Sequence, residues 1–155
     1  MKISLDKLQI IKLLQIEPPF LMIDNAFDIV PGKYASSLIK LNTSDWFFDC
    51  HLKNYEAMPG TLQIEAMLQT LVLSIYTLSE NKNKIAFVVD IKTQLLKKVS
   101  PNDEMLIKTE ILSNKRGIYK CQGSGFVSKN LVCKGEFILG IPSLTPNSNS
   151  IQNGN

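Results

Sequence analysis

Two side chains that can exchange protons at neutral pH lie 14 residues apart near the middle of this sequence. His51 is the only histidine among the 155 residues, and Glu65 follows it within a markedly apolar segment. Histidine titrates near neutrality and suits a general base. A carboxyl group surrounded by apolar side chains is costly to ionise, so it tends to hold a proton and can act as a general acid. Such a pair suits elimination or hydration next to a carbonyl, where one group removes a Cα proton and the other protonates the departing hydroxyl.

The sequence between these residues also offers hydrogen-bond donors for a developing enolate. Met58-Pro59-Gly60 predicts the start of a helix, because proline is favoured in the first helical turn. Pro59 has no N–H, so the donors would be Gly60 and then Thr61, at the positive end of the helix dipole. Gly60 would also allow close approach of a ligand, since it has no side chain.

Simpler explanations exist for both residues. A single histidine in a polar loop is usually a surface residue, and a glutamate in an apolar helix can pair with a lysine or face a gap in a sheet. Cys50 beside His51 suggests a Cys–His nucleophile, but neighbouring residues of an extended segment point to opposite faces, which argues against it. Asp49 with His51 could begin a metal site, yet no third ligand is apparent. We therefore expect neither a metal nor a cofactor.

Composition indicates one globular domain. With 45% hydrophobic and 20% charged residues, a chain of 155 residues can bury a core of its own. The net charge of +3 comes from scattered lysines and arginines, which argues against a nucleic-acid-binding face. The three cysteines, Cys50, Cys121 and Cys133, have no CxxC spacing. We interpret them as reduced thiols of a cytoplasmic protein.

Residues 61–78 are apolar enough to raise the question of a membrane span. Gln63, Glu65 and Gln69 interrupt this run, which favours a helix buried within the protein. The sequence therefore predicts no membrane span.

Hydrophobic periodicity predicts the elements that must position the chemistry. A long helix should run from Pro59-Gly60 to about residue 79, apolar on nearly all sides and therefore enclosed by protein. Before it we expect a helix over 4–14 capped by Ser4, a strand hairpin over 20–30 and 33–42, and irregular chain over 43–58. After it we expect four strands in an antiparallel meander, over 85–98, 104–113, 117–128 and 131–140.

These elements predict an α+β fold of the hot-dog type, in which one curved antiparallel sheet wraps around one long central helix. Residues 1–141 should form this single domain, and the polar residues 142–155 should be a disordered tail. One sheet wrapped on one helix leaves an edge and a flank open, so the sequence also predicts a dimer.

The segment that contains His51 and Glu65 resembles the 3-hydroxyacyl-ACP dehydratases of bacterial type II fatty acid synthesis, of the FabZ type. That family has a pattern close to FFxGHFPxxPxMPGxLxxEAMAQ, and this chain reads FFDCHLKNYEAMPGTLQIEAMLQ. The resemblance covers roughly residues 10–140. It continues in PPFLMIDNAFDIVPGKYA, in VSPNDEMLIKTEIL and in KRGIYKCQGSGFVSKNLVCKGEF.

The resemblance implies dehydration of a 3-hydroxyacyl group, carried on acyl carrier protein, to the trans-2-enoyl product by a homodimer or a trimer of dimers. His51 of one chain would take the Cα proton, and Glu65 of the other would assist loss of the hydroxyl. The Gly60 amide would polarise the thioester carbonyl. The related FabA branch, which also isomerises, has aspartate at the position of Glu65, so dehydration alone is implied. Four further residues would line or support the acyl tunnel: Phe48, Met58, Gln69 and Val89.

This chain departs from the family pattern around the histidine. Cys50 replaces a glycine, Lys53 and Glu56 replace prolines, and Val89 replaces a glycine on a later strand. Such changes are compatible with a different acyl chain, a different carrier or lost activity. Two alternatives therefore stay open: an acyl thioesterase on the same fold, and a non-catalytic hot-dog subunit that binds acyl-ACP.

Overall fold

A seven-stranded antiparallel sheet and a 17-residue helix form the centre of the molecule. The structure is a computed structural model and describes residues 1–142. The predicted tail therefore lies outside the described residues, apart from Pro142. The elements are β1 (Ile3–Leu5), α1 (Lys7–Leu14), β2 (Asn25–Val30), β3 (Tyr34–Lys40), α2 (Trp46–Cys50), α3 (Gly60–Tyr76), a 3₁₀ turn (Ser79–Asn81), β4 (Phe87–Leu95), β5 (Glu104–Lys115), β6 (Ile118–Val127) and β7 (Asn130–Gly140).

The sheet packs against α3, which contacts β2, β3, β5 and β6. The helix begins at Gly60 as predicted, and its apolar side chains form the core together with inward-facing residues of the strands. It ends at Tyr76 rather than near residue 79, because the Leu78 N–H donates to the Ile75 carbonyl at 3.2 Å, a three-residue step that leaves the α-helical pattern. The predicted α+β hot-dog fold is confirmed.

The order of strands differs from the predicted four-stranded meander. The order is β1-β2-β3-β5-β6-β7-β4, so β2 and β3 form the predicted hairpin and β5, β6 and β7 pair in succession. β4 instead lies at the far edge beside β7, with Ile91 opposite Phe137. The reason is that α3 carries the chain across the concave face of the sheet. β4 therefore forms the edge farthest from β1, beside β7, and the place next to β3 is left for β5.

Two predictions near the N-terminal half were wrong. Asp6 rather than Ser4 caps α1, because its carboxylate accepts from the Gln9 N–H and the Gln9 side chain accepts from the Asp6 N–H, both at 2.9 Å. Ser4 lies in β1, which pairs with β2 at the edge of the sheet. The region 43–58, expected to be irregular, contains the short helix α2. Its aromatic residues form a helix because Phe47 and Phe48 can then both enter the core.

One stripe of α3 remains uncovered by the chain's own sheet. Its members are Glu65, Leu68, Val72 and Tyr76, which share one face at helical spacing and are only half-buried. We call these four residues the open stripe. Glu65 is therefore half-buried in a single chain, whereas the sequence predicted that it is enclosed.

Two buried thiols should make the free energy of unfolding vary with pH in the alkaline range. Burial raises the pKa of Cys121 from 9.0 to about 12. Burial likewise raises the pKa of Cys133 to about 11, against a smaller lowering by a backbone hydrogen bond at Gly125. Both thiols are neutral in the folded chain and ionise more readily when unfolded. Their contribution to the free energy of unfolding is therefore complete below about pH 9, the ordinary pKa of a thiol, and is lost as the pH rises toward the pKa values of the folded chain.

We expect the free energy of unfolding, measured by urea denaturation, to fall between about pH 9 and pH 11. Other groups that titrate at high pH contribute to the slope of the free energy of unfolding against pH. The comparison is therefore with Cys121→Ala and Cys133→Ala, each of which should make that slope less steep. Identical slopes in all three proteins would show that the buried thiols do not cause the effect.

Candidate active site

The short helix α2 places His51 at its C-terminal end. Phe47 and Phe48 anchor the helix in the core, with their ring centroids 4.7 Å apart. The His51 N–H donates to the Phe47 carbonyl at 3.0 Å. Phe48 is thus part of the support beneath the histidine in this chain.

One nitrogen of the histidine ring faces a backbone carbonyl. Nδ1 of His51 lies 3.3 Å from the carbonyl oxygen of Ala57. A carbonyl oxygen only accepts hydrogen bonds, so this contact is a hydrogen bond when Nδ1 carries the proton, and in the neutral ring Nε2 then keeps its lone pair. The side chain is half-buried. This arrangement leaves Nε2 able to accept a proton.

The start of α3 presents backbone donors next to Met58. The Met58 N–H donates to Val99 at 2.8 Å, which fixes the chain just before the helix. The carbonyl of Pro59 accepts from residues 62 and 63, and no side chain caps the helix. Within residues 1–142 the N–H groups of Gly60 and Thr61 have no acceptor. They are therefore available to a carbonyl oxygen at the positive end of the helix.

Gly60 also lies against a side chain from β4. A Cβ atom at this position would overlap the side chain of Leu95, which ends β4. The sequence did not single out Leu95, because 35 residues separate it from Gly60 and only strand pairing brings it there. Gly60 thus allows β4 to approach the first turn of α3.

Gln63 is buried, with 3% of its surface exposed, and its amide nitrogen donates to the Met58 carbonyl at 3.3 Å. Its Oε1 atom is buried without a hydrogen-bond partner in the described chain. Gln63 therefore braces the backbone on the α3 side of His51 with only one of its two polar groups.

Gln69 holds the carboxylate of Glu65. The Gln69 amide nitrogen donates to Oε1 of Glu65 at 2.9 Å and to the Phe20 carbonyl at 3.0 Å. The Gln69 oxygen accepts from the Met22 N–H at 2.8 Å, and the side chain is 1% exposed. Oε2 of Glu65 makes no hydrogen bond to any described residue. One carboxylate oxygen is therefore oriented and the other is left for a ligand.

Gln69→Met should destabilise the fold, because it leaves the buried Met22 N–H without an acceptor at a cost of about 1–3 kcal/mol. Chemical denaturation of the two proteins measures the difference. Gln63→Met is the matched control in the same helix. It removes a longer, single hydrogen bond together with an unpartnered oxygen, so its effect should be smaller. An equal or larger loss in the control would contradict this account of Gln69.

The predicted site residues fall into two groups on different supports. His51, Met58 and Gly60 are fixed by α2, by Val99 and by the start of α3, whereas Glu65 and Gln69 are tied to the segment after Pro19. Within residues 1–142 no hydrogen bond or ion pair joins His51 to Glu65. Val89 lies apart from both groups on the edge strand β4 and is 62% exposed. A single chain thus holds the two reactive groups separately.

The surface clefts lie elsewhere. One of about 610 Å³ opens on the outer face of the sheet, where Leu38, Leu106 and Phe126 line it. Another of about 350 Å³ is lined in part by Met22, Phe47 and Met58, behind the His51 helix. Neither is lined by His51 or Glu65.

The described residues contain neither a metal-binding cluster nor a membrane-spanning helix. In the described part of the chain, no group of three or more His, Cys, Asp or Glu side chains could hold a metal ion. None of the helices described over residues 1–142 has the length and apolar character needed to cross a membrane.

Comparison with known proteins places the chain in a family. The FabA-like domain family matches residues 15–136. The 3-hydroxyacyl-[acyl-carrier-protein] dehydratase FabZ of Caldicellulosiruptor saccharolyticus is 34% identical over 137 residues, which cover 88% of this chain and 98% of the relative. The enzyme of the same name from Clostridioides difficile is 30% identical over 134 residues, covering 86% and 94%.

Solved structures agree at the level of the fold. The dehydratase heterocomplex ApeI:P from Xenorhabdus doucetiae superposes with a TM-score of 0.69 at 12% identity, covering 87% of this chain and 91% of that one. The family match spans most of the chain, including His51, Gly60 and Glu65. This chain therefore belongs to the FabA-like family, together with the FabZ-type 3-hydroxyacyl-[acyl-carrier-protein] dehydratases.

Proposed function

We propose that this protein is a hydro-lyase that dehydrates 3-hydroxyacyl groups on acyl carrier protein to trans-2-enoyl groups, in fatty acid or specialised acyl-chain biosynthesis. The observation that carries the proposal is the contact between Nδ1 of His51 and the Ala57 carbonyl oxygen. In the neutral ring this contact favours the proton on Nδ1, so Nε2 is the basic atom that the reaction requires. The FabZ relatives, which share about a third of their residues with this chain, support the same reaction.

In this mechanism Nε2 of His51 removes the Cα proton of the substrate. The electron pair moves onto the thioester oxygen, which accepts a hydrogen bond from the Gly60 N–H. When the carbonyl reforms, the C3–O bond breaks and Glu65 protonates the departing hydroxyl, which leaves as water. His51 then holds one extra proton and Glu65 lacks one, so transfer between them restores the starting state.

We further propose that two chains combine to complete each site. β4 is an edge strand of nine residues, with one side paired to β7 and the other paired to no described strand. Its exposed apolar residues are Phe87, Val88, Val89, Ile91 and Leu95. A second copy paired along β4 would extend the sheet, cover the open stripe and bring Glu65 of the partner subunit to His51. Such a twofold contact uses the same surface on both chains.

The double variant Phe87→Lys with Val89→Lys should convert the dimer, or a trimer of dimers, into monomers with little activity. Charges on the paired edge would be buried without partners. Light scattering after size-exclusion chromatography measures the mass, and circular dichroism checks the fold. Leu112→Lys is the control, because Leu112 is 55% exposed on β5, away from this edge. A monomeric wild-type protein with full activity would contradict the composite site.

Acyl carrier protein is the partner that this reaction requires, and we propose the cytoplasm as its location. The names of the relatives support the carrier. Cys50, Cys121 and Cys133 form no disulfide in the described chain, which supports a reducing compartment.

The decisive experiment follows hydration of a short trans-2-enoyl thioester on acyl carrier protein, by loss of the absorbance of the conjugated thioester. Formation of the 3-hydroxyacyl product by the wild type, and its loss in His51→Ala, would support the proposal. Release of the free acid and thiol would instead indicate a thioesterase. Binding of the acyl carrier without either product would indicate a non-catalytic subunit.

A further inference from the structure

The loop that joins His51 to α3 has a contact that the proposed mechanism does not use. The ammonium nitrogen of Lys98 lies 4.4 Å from the centroid of the Tyr55 ring, within the range of a cation–π interaction. Tyr55 lies in the middle of this loop, residues 52–57, and is 52% exposed. Lys98 follows β4, 43 residues further along the chain.

The residue types of the loop do not account for its whole shape. Residues 52–57 read LKNYEA and contain neither glycine nor proline. Yet Leu52 has φ of 50° and Asn54 has φ of 66°, both in the left-handed region. A leucine side chain disfavours that region strongly, so contacts from outside the loop must maintain the conformation.

The segment after β4 is a fixed support that can supply those contacts. The N–H groups of Leu96 and Lys97 donate to the Val132 carbonyl at 2.8 and 3.1 Å. Val99 is fully buried, and its carbonyl accepts from the Met58 N–H at 2.8 Å. Lys98 therefore projects from a segment that is secured on both sides.

The Tyr55 ring transmits this support to the histidine. The Tyr55 N–H donates to the Leu52 carbonyl at 2.9 Å, which closes the turn directly after His51. On its other side the loop leads to Ala57, whose carbonyl accepts the Nδ1 proton of His51. Displacement of the ring would thus disturb the turn directly after His51 and the approach to the Ala57 carbonyl that contacts Nδ1.

We propose that Tyr55 and Lys98 are positioning residues, which hold the His51 imidazole in the tautomer that presents Nε2 as the base. Their contact supplies a constraint that this loop, which has no proline, does not obtain from its own backbone. The inference rests on the proposed function, because it takes His51 to be the general base.

The kinetic test removes either the Tyr55 ring or the Lys98 charge, and compares each loss with a conservative substitution that keeps the ring or the charge. Tyr55→Leu and Lys98→Met should each lower kcat about two- to fivefold, the range for an exposed cation–π contact, with KM unchanged. Tyr55→Phe keeps the ring face and Lys98→Arg keeps the cation, so both should retain activity. The double variant Tyr55→Leu with Lys98→Met should lose no more than either single variant. The substrate is a 3-hydroxyacyl pantetheine thioester, so contacts to the carrier do not enter.

A spectroscopic test measures the protonation of the two His51 ring nitrogens and does not require turnover. His51 is the only histidine, so two-bond ¹H–¹⁵N spectra report on this ring alone. The wild type should show Nδ1 protonated and Nε2 unprotonated, and Tyr55→Leu and Lys98→Met should move both nitrogens toward a mixture of tautomers. This shift in a protein that lacks dehydratase activity would support the positioning role while the proposed function fails. Unchanged spectra and unchanged kcat in both variants would overturn the inference. So would a Lys98→Met variant whose only defect is a higher KM for acyl carrier protein.

Discussion

His51→Ala is expected to lower kcat for dehydration by about 10²–10⁴-fold, which is the usual contribution of a general base. The alanine removes the Nε2 atom that we propose takes the Cα proton, and no other histidine is present to replace it. KM should change little, because the thioester still meets the Gly60 N–H. The assay is turnover of a 3-hydroxyacyl or 2-enoyl thioester over a range of substrate concentrations.

The neighbouring residue provides the control for this substitution. Cys50 lies beside His51 at the end of α2, and within residues 1–142 its thiol hydrogen-bonds to the Trp46 and Phe47 carbonyls alone. Cys50→Ala should therefore retain kcat, whereas a Cys–His nucleophile would lose it. Thermal melting of both variants establishes that they fold. A folded His51→Ala protein with wild-type kcat would refute the role of the histidine.

Glu65→Gln should reduce kcat by a similar factor of about 10²–10⁴, because the amide cannot donate the proton that the departing hydroxyl needs. The substitution preserves size and keeps an oxygen that can accept from Gln69. Glu110 offers a matched control, since its carboxylate also accepts from a glutamine amide, that of Gln122, at 2.9 Å. Glu110 is exposed on β5, and Glu110→Gln should be fully active.

Mixing the two inactive proteins tests whether the site is composite. If His51 and Glu65 of one site come from different chains, a dimer of one His51→Ala chain and one Glu65→Gln chain has one intact site and one doubly altered site. After free exchange of chains, roughly a quarter of wild-type activity should return. If both residues act within one chain, mixing restores nothing. This result is independent of how strongly each substitution acts alone.

The sequence predicts well those features that depend on short stretches of chain. Pro59-Gly60 places the start of α3, and Pro31-Gly32 marks the turn of the β2–β3 hairpin, where Gly32 has φ of 72°. Local residue types are sufficient to predict both features, because proline restricts the backbone dihedral angles and glycine extends their allowed range. The fold class follows from the order of these elements.

Features that depend on distant partners were missed. The place of β4 beyond β7 is decided by which edge the chain reaches after α3, and no local pattern encodes that edge. The contact of Leu95 with Gly60 and that of Lys98 with Tyr55 depend on this placement. Glu65 is more exposed than predicted, because its helix face is not covered by strands of the same chain. Apolar composition alone does not distinguish a face covered by the same chain from one that its own sheet leaves open.

The edge strand β4 has a consequence for each newly synthesised chain. If the dimer proposed above forms, the nine residues of β4, with their exposed apolar side chains, remain unpaired by any described residue on their outer side until assembly. The surface suited to correct assembly is thus also the surface most prone to aggregation. Asp90 and Lys92 are the charged residues within this apolar run, and charges at such positions oppose edge-to-edge aggregation before assembly.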